Sequence, residues 1–207
     1  ILVTADNVSI ENLAVRKSAV GILFQGAENG PLQGGTVSNV DISDLRGLWD
    51  DGDNLLGAEY GPASVGVAGI IVSNVHSLSV EGCSISSIVQ QMGYWISFEG
   101  GFDAVGLLLS NAADVKVSGC TIETVHGDAA GWSSSRAYGI LASGIVASEI
   151  SGNVVSDIVG GDSGCCDDWS PNGGPAIGIF MEDAVECMVT MNRWDSIYAG
   201  GSSTDSF

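Results

Sequence analysis

The sequence predicts an all-β chain folded as a β-solenoid, a stack of coils each built from two or three short parallel strands. Three observations carry this. First, a block of 20 residues recurs, as GIIVSNVHSLSVEGCSISSI (69–88), GLLLSNAADVKVSGCTIETV (106–125), GILASGIVASEISGNVVSDI (139–158) and the more worn GIFMEDAVECMVTMNRWDSI (178–197). The block starts lie 37, 33 and 39 residues apart, and repetition at such periods belongs to solenoids, arrays or propellers. Second, alignment puts like residues in columns: Val80, Val117, Ile150 and Val189; then Ile85, Ile122, Val155 and Trp194; then Ile88, Val125, Ile158 and Ile197. Third, the first column alternates with polar neighbours at period two, the mark of strands with one buried face. The blocks hold no helical stripe of useful length and are too short for four-stranded propeller blades. Coils of this kind stack at about 4.8 Å, like residue over like.

Taken in order, residues 1–15 are already repeat-like, with Val8, Ile10, Leu13 and Val15 alternating. The chain thus enters the stack with almost no polar cap. Asn7-Val8-Ser9 matches a glycosylation sequon inside an expected strand. Residues 21–24 open the next coil, AENGPLQGG enlarges its turn, and residues 36–45 complete it. In the four blocks the corner column reads Cys83, Cys120, Asn153 and Asn192. Inward-facing Asn or small residues there would satisfy turn backbone groups and one another. Four variable insertions, 46–68, 89–105, 126–138 and 159–177, follow the blocks' last apolar residues and should cluster on one flank. Residues 198–207, YAGGSSTDSF, read as a polar tail on a single domain spanning 1–207.

The pattern G-I-x9-V-x-x-N/C-x-I, covering roughly residues 1–197, resembles the right-handed parallel β-helix repeats of pectate-lyase-like proteins. The resemblance implies a right-handed parallel β-helix of about five to six coils with loop insertions on one flank. It is nearly silent on function, because this fold hosts lyases, hydrolases, phage spikes, adhesins and purely structural surface proteins. Lyases on this fold use an Arg or Lys base with Ca²⁺ held by carboxylates, and the bases here are Arg16, Lys17, Arg46, Lys116, Arg136 and Arg193. No basic cluster accompanies them to hold an acidic sugar. A galacturonase-like hydrolase would need Asp residues converging on one strand face, whereas Asp50-Asp51 and Asp167-Asp168 fall in loops. The sequence leans away from an enzyme.

Charge narrows the partners. Six Lys and Arg stand against 25 Asp and Glu, a net charge of −19. That argues against nucleic acid, polyanionic polysaccharide and anionic membrane, and favours cations, neutral glycans or a metal-bridged lattice. It also serves simple solubility. The longest apolar runs are far too short to span a bilayer. The sequence opens on Ile1 rather than Met and reads as a processed chain or an excised fragment.

Each insertion carries one Trp, namely Trp49, Trp95, Trp132 and Trp169. A row of aromatics on one flank suits loop packing, a subunit interface or stacking on sugar rings. Asp50, Asp51 and Asp53 surround a Gly and would suit Ca²⁺, as would Asp162, Asp167 and Asp168; the competing reading of each set is a solvated acidic turn. His76 and His126 are isolated, the latter in an expected loop. Five cysteines are present. Cys83 and Cys120 share a column in neighbouring coils, close enough for a disulfide, while stacked free thiols fit equally. Cys165, Cys166 and Cys187 are further disulfide candidates, and the usage leans to an oxidising, extracellular setting.

Two functional classes follow. The first is a non-enzymatic extracellular structural protein, a homo-oligomer or polymer joined through open sheet ends in a surface fibre, sheath or layer. The second is a carbohydrate-binding or polysaccharide-degrading protein that uses the Trp/Asp flank.

Overall fold

The computed structural model describes residues 1–27, 30–47, 59–60, 63–90, 102–127, 135–162 and 173–201, the side chains of 59–60 and 63–64 excepted. The described residues are all-β and contain no helix. They form a solenoid-like body of parallel sheets. The first sheet stacks Leu2–Val3, Val20–Gln25, Ala63–Ser73, Asp103–Ser110, Ala137–Ser143 and Ala176–Glu182. The second stacks Ser9–Glu11, Thr36–Ser38, Ser79–Glu81, Lys116–Ser118, Glu149–Ser151 and Met188–Thr190. The third stacks Ala14–Arg16, Asp41–Ser43 with Leu45–Gly47, Ser84–Gln90, Thr121–His126, Val154–Val159 and Arg193–Tyr198. Each rung of chain therefore contributes to every sheet before the next rung begins. A short parallel pair, Leu32–Gln33 with Val75–His76, and an antiparallel strand, Glu59–Tyr60 against Ala63–Ser73, complete the set.

The sequence columns are the register. Ile10, Val37, Val80, Val117, Ile150 and Val189 pair in succession. So do Val15, Ile42, Ile85, Ile122, Val155 and Trp194. The second sheet's strands alternate with their central residue inward, as period two requires. The first sheet reads as continuous apolar runs for a different reason. It is buried on both faces, the usual condition of a parallel sheet. Ile70, Leu107 and Ile140 join the central core, while Ile71, Leu108, Tyr138 and Leu141 form a second buried cluster on its other face.

Corners are stacked as well. One column of left-handed residues runs Asn12, Asn39, Gly82, Gly119, Gly152 and Met191, with φ between 52° and 64°. Another runs Lys17, Asp44, Ser87, Thr124, Asp157 and Ser196. Gly and Asn dominate the first column because they reach this conformation at least cost. The second column lies inside the third sheet's strands. Its bend explains why inward residues there recur at three, as Ile85 and Ile88 do, rather than at two.

Two expectations shift here. Asn7 has φ 56° and occupies an exposed corner before Ser9–Glu11, not a strand. His126 ends the strand Thr121–His126 rather than lying in a loop.

Candidate functional site

The rung formed by residues 176–198 lies at the end of all three stacks, and its outer side is apolar. Gly178, Ile179, Met181, Val189, Trp194 and Ile197 line an open cup of about 470 Å³. In its column Trp194 follows Ile122 and Val155, which are fully buried, yet Trp194 itself is 56 % exposed. Met191 occupies the glycine corner column at φ 54° and is 87 % exposed. Val185, Met188 and Tyr198 are exposed beside them. An open cup lined by large apolar residues marks an interaction surface. Among the described residues the three edge strands also leave one row of backbone groups without a neighbouring strand, a template for pairing.

The geometry of the neighbouring rungs defines what this surface accepts. Gly21, Gly69, Gly106, Gly139 and Gly178 form one column of the first sheet. A β-carbon on Gly106 would lie 2.4 Å from Ile122 Cγ2 and 2.6 Å from the Gly139 carbonyl oxygen. Gly69 and Gly139 are equally crowded. At Gly178 the nearest atoms are Ile197 Cδ1 at 3.6 Å and Trp194 Cβ at 3.8 Å. The crowding comes from the third sheet's aliphatic column and from the next rung's backbone, and among the described residues no rung follows that of Gly178.

The corner column holds a polar ladder. The Asn153 side chain, fully buried, accepts from Cys120 N at 2.9 Å and donates to Val117 O at 3.1 Å. It also donates to Asn192 Oδ1 at 2.9 Å, while Asn192 Nδ2 donates to Ile150 O at 2.8 Å. The Asn153 amide thus reaches back one rung and forward one rung, and the Asn192 amide reaches back one rung. Upstream the column turns to thiols. Cys83 Sγ donates to Val37 O at 3.6 Å and Cys120 Sγ to Val80 O at 3.7 Å.

Cys83, Cys120 and Cys187 are free cysteines. Of the two arrangements the sequence left open for Cys83 and Cys120, a disulfide or stacked free thiols, the structure has the thiols. The two sulfurs stack as thiols because their backbone carbonyl partners already hold them in the core column. Burial and the hydrogen bond with Cys83 push the Cys120 thiol up.

A buried polar cluster sits where the insertion after residue 90 rejoins the first sheet. Asp103 is 3 % exposed and accepts from Arg136 N at 2.9 Å. Arg136 Nη1 donates to Tyr138 Oη at 3.2 Å, and the Tyr138 ring meets Phe180 edge-on at 6.0 Å. Burial pushes the Asp103 carboxyl up to about 6, with the Arg136 backbone N–H and guanidinium pulling the other way. Elsewhere Lys17, Ser18, Asp44 and Arg46 line a surface cleft of about 320 Å³. Arg16 pairs with Asp41 at 2.8 Å, Lys116 with Glu81 at 3.8 Å, and His126 Nε2 lies 3.3 Å from Asp157 Oδ2.

Trp49, Trp95, Trp132, Trp169, Asp50, Asp51, Asp53, Asp167, Asp168, Cys165 and Cys166 lie outside the described residues. Asp162 is exposed, and its Oδ1 accepts from Gly201 N at 2.7 Å. Among the described residues no group of three or more His, Cys, Asp or Glu could hold a metal ion. No described helix is long and apolar enough to cross a membrane. The four insertions leave third-sheet strands and return to first-sheet strands, so their points of departure share one corner. Sequence reasoning missed Asp103, Tyr138 and Met191. Their signals were a carboxylate at the head of an apolar run and a Met in a glycine column.

No family model, no curated protein and no solved structure matches this chain.

Proposed function

We propose that the chain is a structural subunit, a right-handed parallel β-helix of the pectate-lyase-like kind that self-assembles end to end in an extracellular fibre, sheath or layer. The observation that carries this reading is the tail rung, where Trp194 and Val189 are exposed although Ile42, Ile85, Ile122 and Val155 in the one column and Val37, Val80, Val117 and Ile150 in the other are buried. A sheet edge with an apolar face pairs with another chain unless something covers it. The described polar cluster does not favour the carbohydrate reading, since Asp103 and Tyr138 are buried rather than turned to a ligand. The test is the size of the purified chain across a concentration series, by light scattering with negative-stain imaging. Concentration-dependent filaments, tubes or sheets are expected. A monomer at every concentration overturns the reading.

A further inference from the structure

Resting on that reading, we infer that the tail rung docks the first rung of a second copy, head to tail and in register, so that the interface repeats the contact between successive rungs. Two independent observations select this occupant.

The first is register. Every stack keeps one alignment, apart from a shift between Val65 and Val67 at the start of one first-sheet strand, outside the columns used below. Extending it by one rung places Ile10 of a second copy on Val189, Val15 on Trp194 and Val3 on Met181. All three pairs are apolar, in columns that are apolar throughout. The strands Leu2–Val3, Ser9–Glu11 and Ala14–Arg16 end their stacks on the opposite side from the tail rung. Ile1 and Leu2 are 50 % and 64 % exposed there. Head-to-tail contact therefore continues each parallel sheet without a change of strand direction.

The second is charge. The tail rung carries Glu182, Asp183, Glu186 and Asp195 against Arg193 alone, whereas on the head rung Arg16 and Lys17 offset Asp6 and Glu11. The extended register sets Arg16 beside Asp195 and Glu11 beside Thr190, so no carboxylates are directly opposed. A tail-to-tail dimer would instead bring two acidic rims together, and like charges across an interface are costly. A head-to-tail contact of this kind is heterologous and open-ended, so it builds a polar filament.

Mixing blocked variants tests the orientation. Trp194→Asp blocks the tail; Ile1→Asp with Arg16→Glu blocks the head. All three residues are exposed, so both proteins should keep the wild-type circular dichroism spectrum. Val189→Asp is a second tail block, at the residue that Ile10 of the second copy would cover. Wild type should polymerise, each variant alone should sediment as a monomer, and an equimolar mixture should give a discrete dimer. A head-blocked variant that dimerises by itself overturns the head-to-tail inference and leaves self-assembly standing. A wild-type chain that stays monomeric overturns both, and assigns the tail surface to a different occupant such as a further rung of a longer chain.

Discussion

Gly106 and Ile122 approach so closely that the glycine's missing side chain is a packing requirement: a β-carbon on Gly106 would stand 2.4 Å from Ile122 Cγ2. The same pairing recurs at Gly69 with Ile85 and at Gly139 with Val155. First and third sheets meet at this seam, and the repeat's leading glycine is the residue that lets them.

Gly106→Ala should therefore destabilise the fold by ~2–3 kcal/mol, since overpacking a rigid seam forces backbone shifts. Gly178→Ala should be close to neutral, because its nearest neighbours are 3.6 and 3.8 Å away. Thermal melts of the two variants side by side check this, ideally under conditions that keep the chain monomeric. Equal losses would contradict the seam argument.

Asn153→Ala should cost roughly 2–4 kcal/mol, because it strands the buried Cys120 N–H and removes the side-chain donors to Val117 O and Asn192 Oδ1, the latter keeping only the Asn153 backbone N–H. Asn192→Ala should cost less, its rung being partly exposed. Chemical denaturation reads both, and a smaller loss for Asn153→Ala than for Asn192→Ala would refute the ladder's role.

Asp103 makes a pH prediction. Its folded carboxyl titrates at about 6, above the ordinary value of 3.8, so the folded chain holds a proton that the unfolded chain releases. Its contribution to stability is therefore full at low pH and falls as pH rises from about 4 to 6. Asp103→Asn keeps an oxygen to accept from Arg136 N but has no proton to lose. Relative to wild type it should gain on the order of 2–3 kcal/mol between pH 4 and 7. Denaturation midpoints of both proteins across that range decide it; a constant difference would mean the carboxyl titrates normally.

The thiols give a fourth test. Cys83 and Cys120 should resist alkylation in the native chain and react fully in denaturant without reductant, because they are buried and free. Peptide mass mapping reads the two states. Protection that persists in denaturant until reductant is added would restore the disulfide.

Much of the fold was legible in the residues. The Val80 and Ile85 columns of the 20-residue block became register partners, and the corner positions Cys120, Asn153 and Asn192 are joined by hydrogen bonds from rung to rung. A repeat writes its stacking into the sequence, because each rung meets nearly the same neighbours above and below. The candidate site was less legible. Trp194 read as one more member of an aliphatic column, and the loop Trp row drew attention away from it.

The sequence by itself determined the all-β repeat, the inward columns and which residues stand over one another, since period two and equal block lengths are properties of order along the chain. Only the tertiary structure decided how far apart the columns lie. It set the Gly106 seam, buried Asp103, left Cys83 and Cys120 as separate thiols and turned Trp194 to the outside. Those outcomes depend on distances between sheets and on which rung has a neighbour, and neither quantity is written in residue spacing.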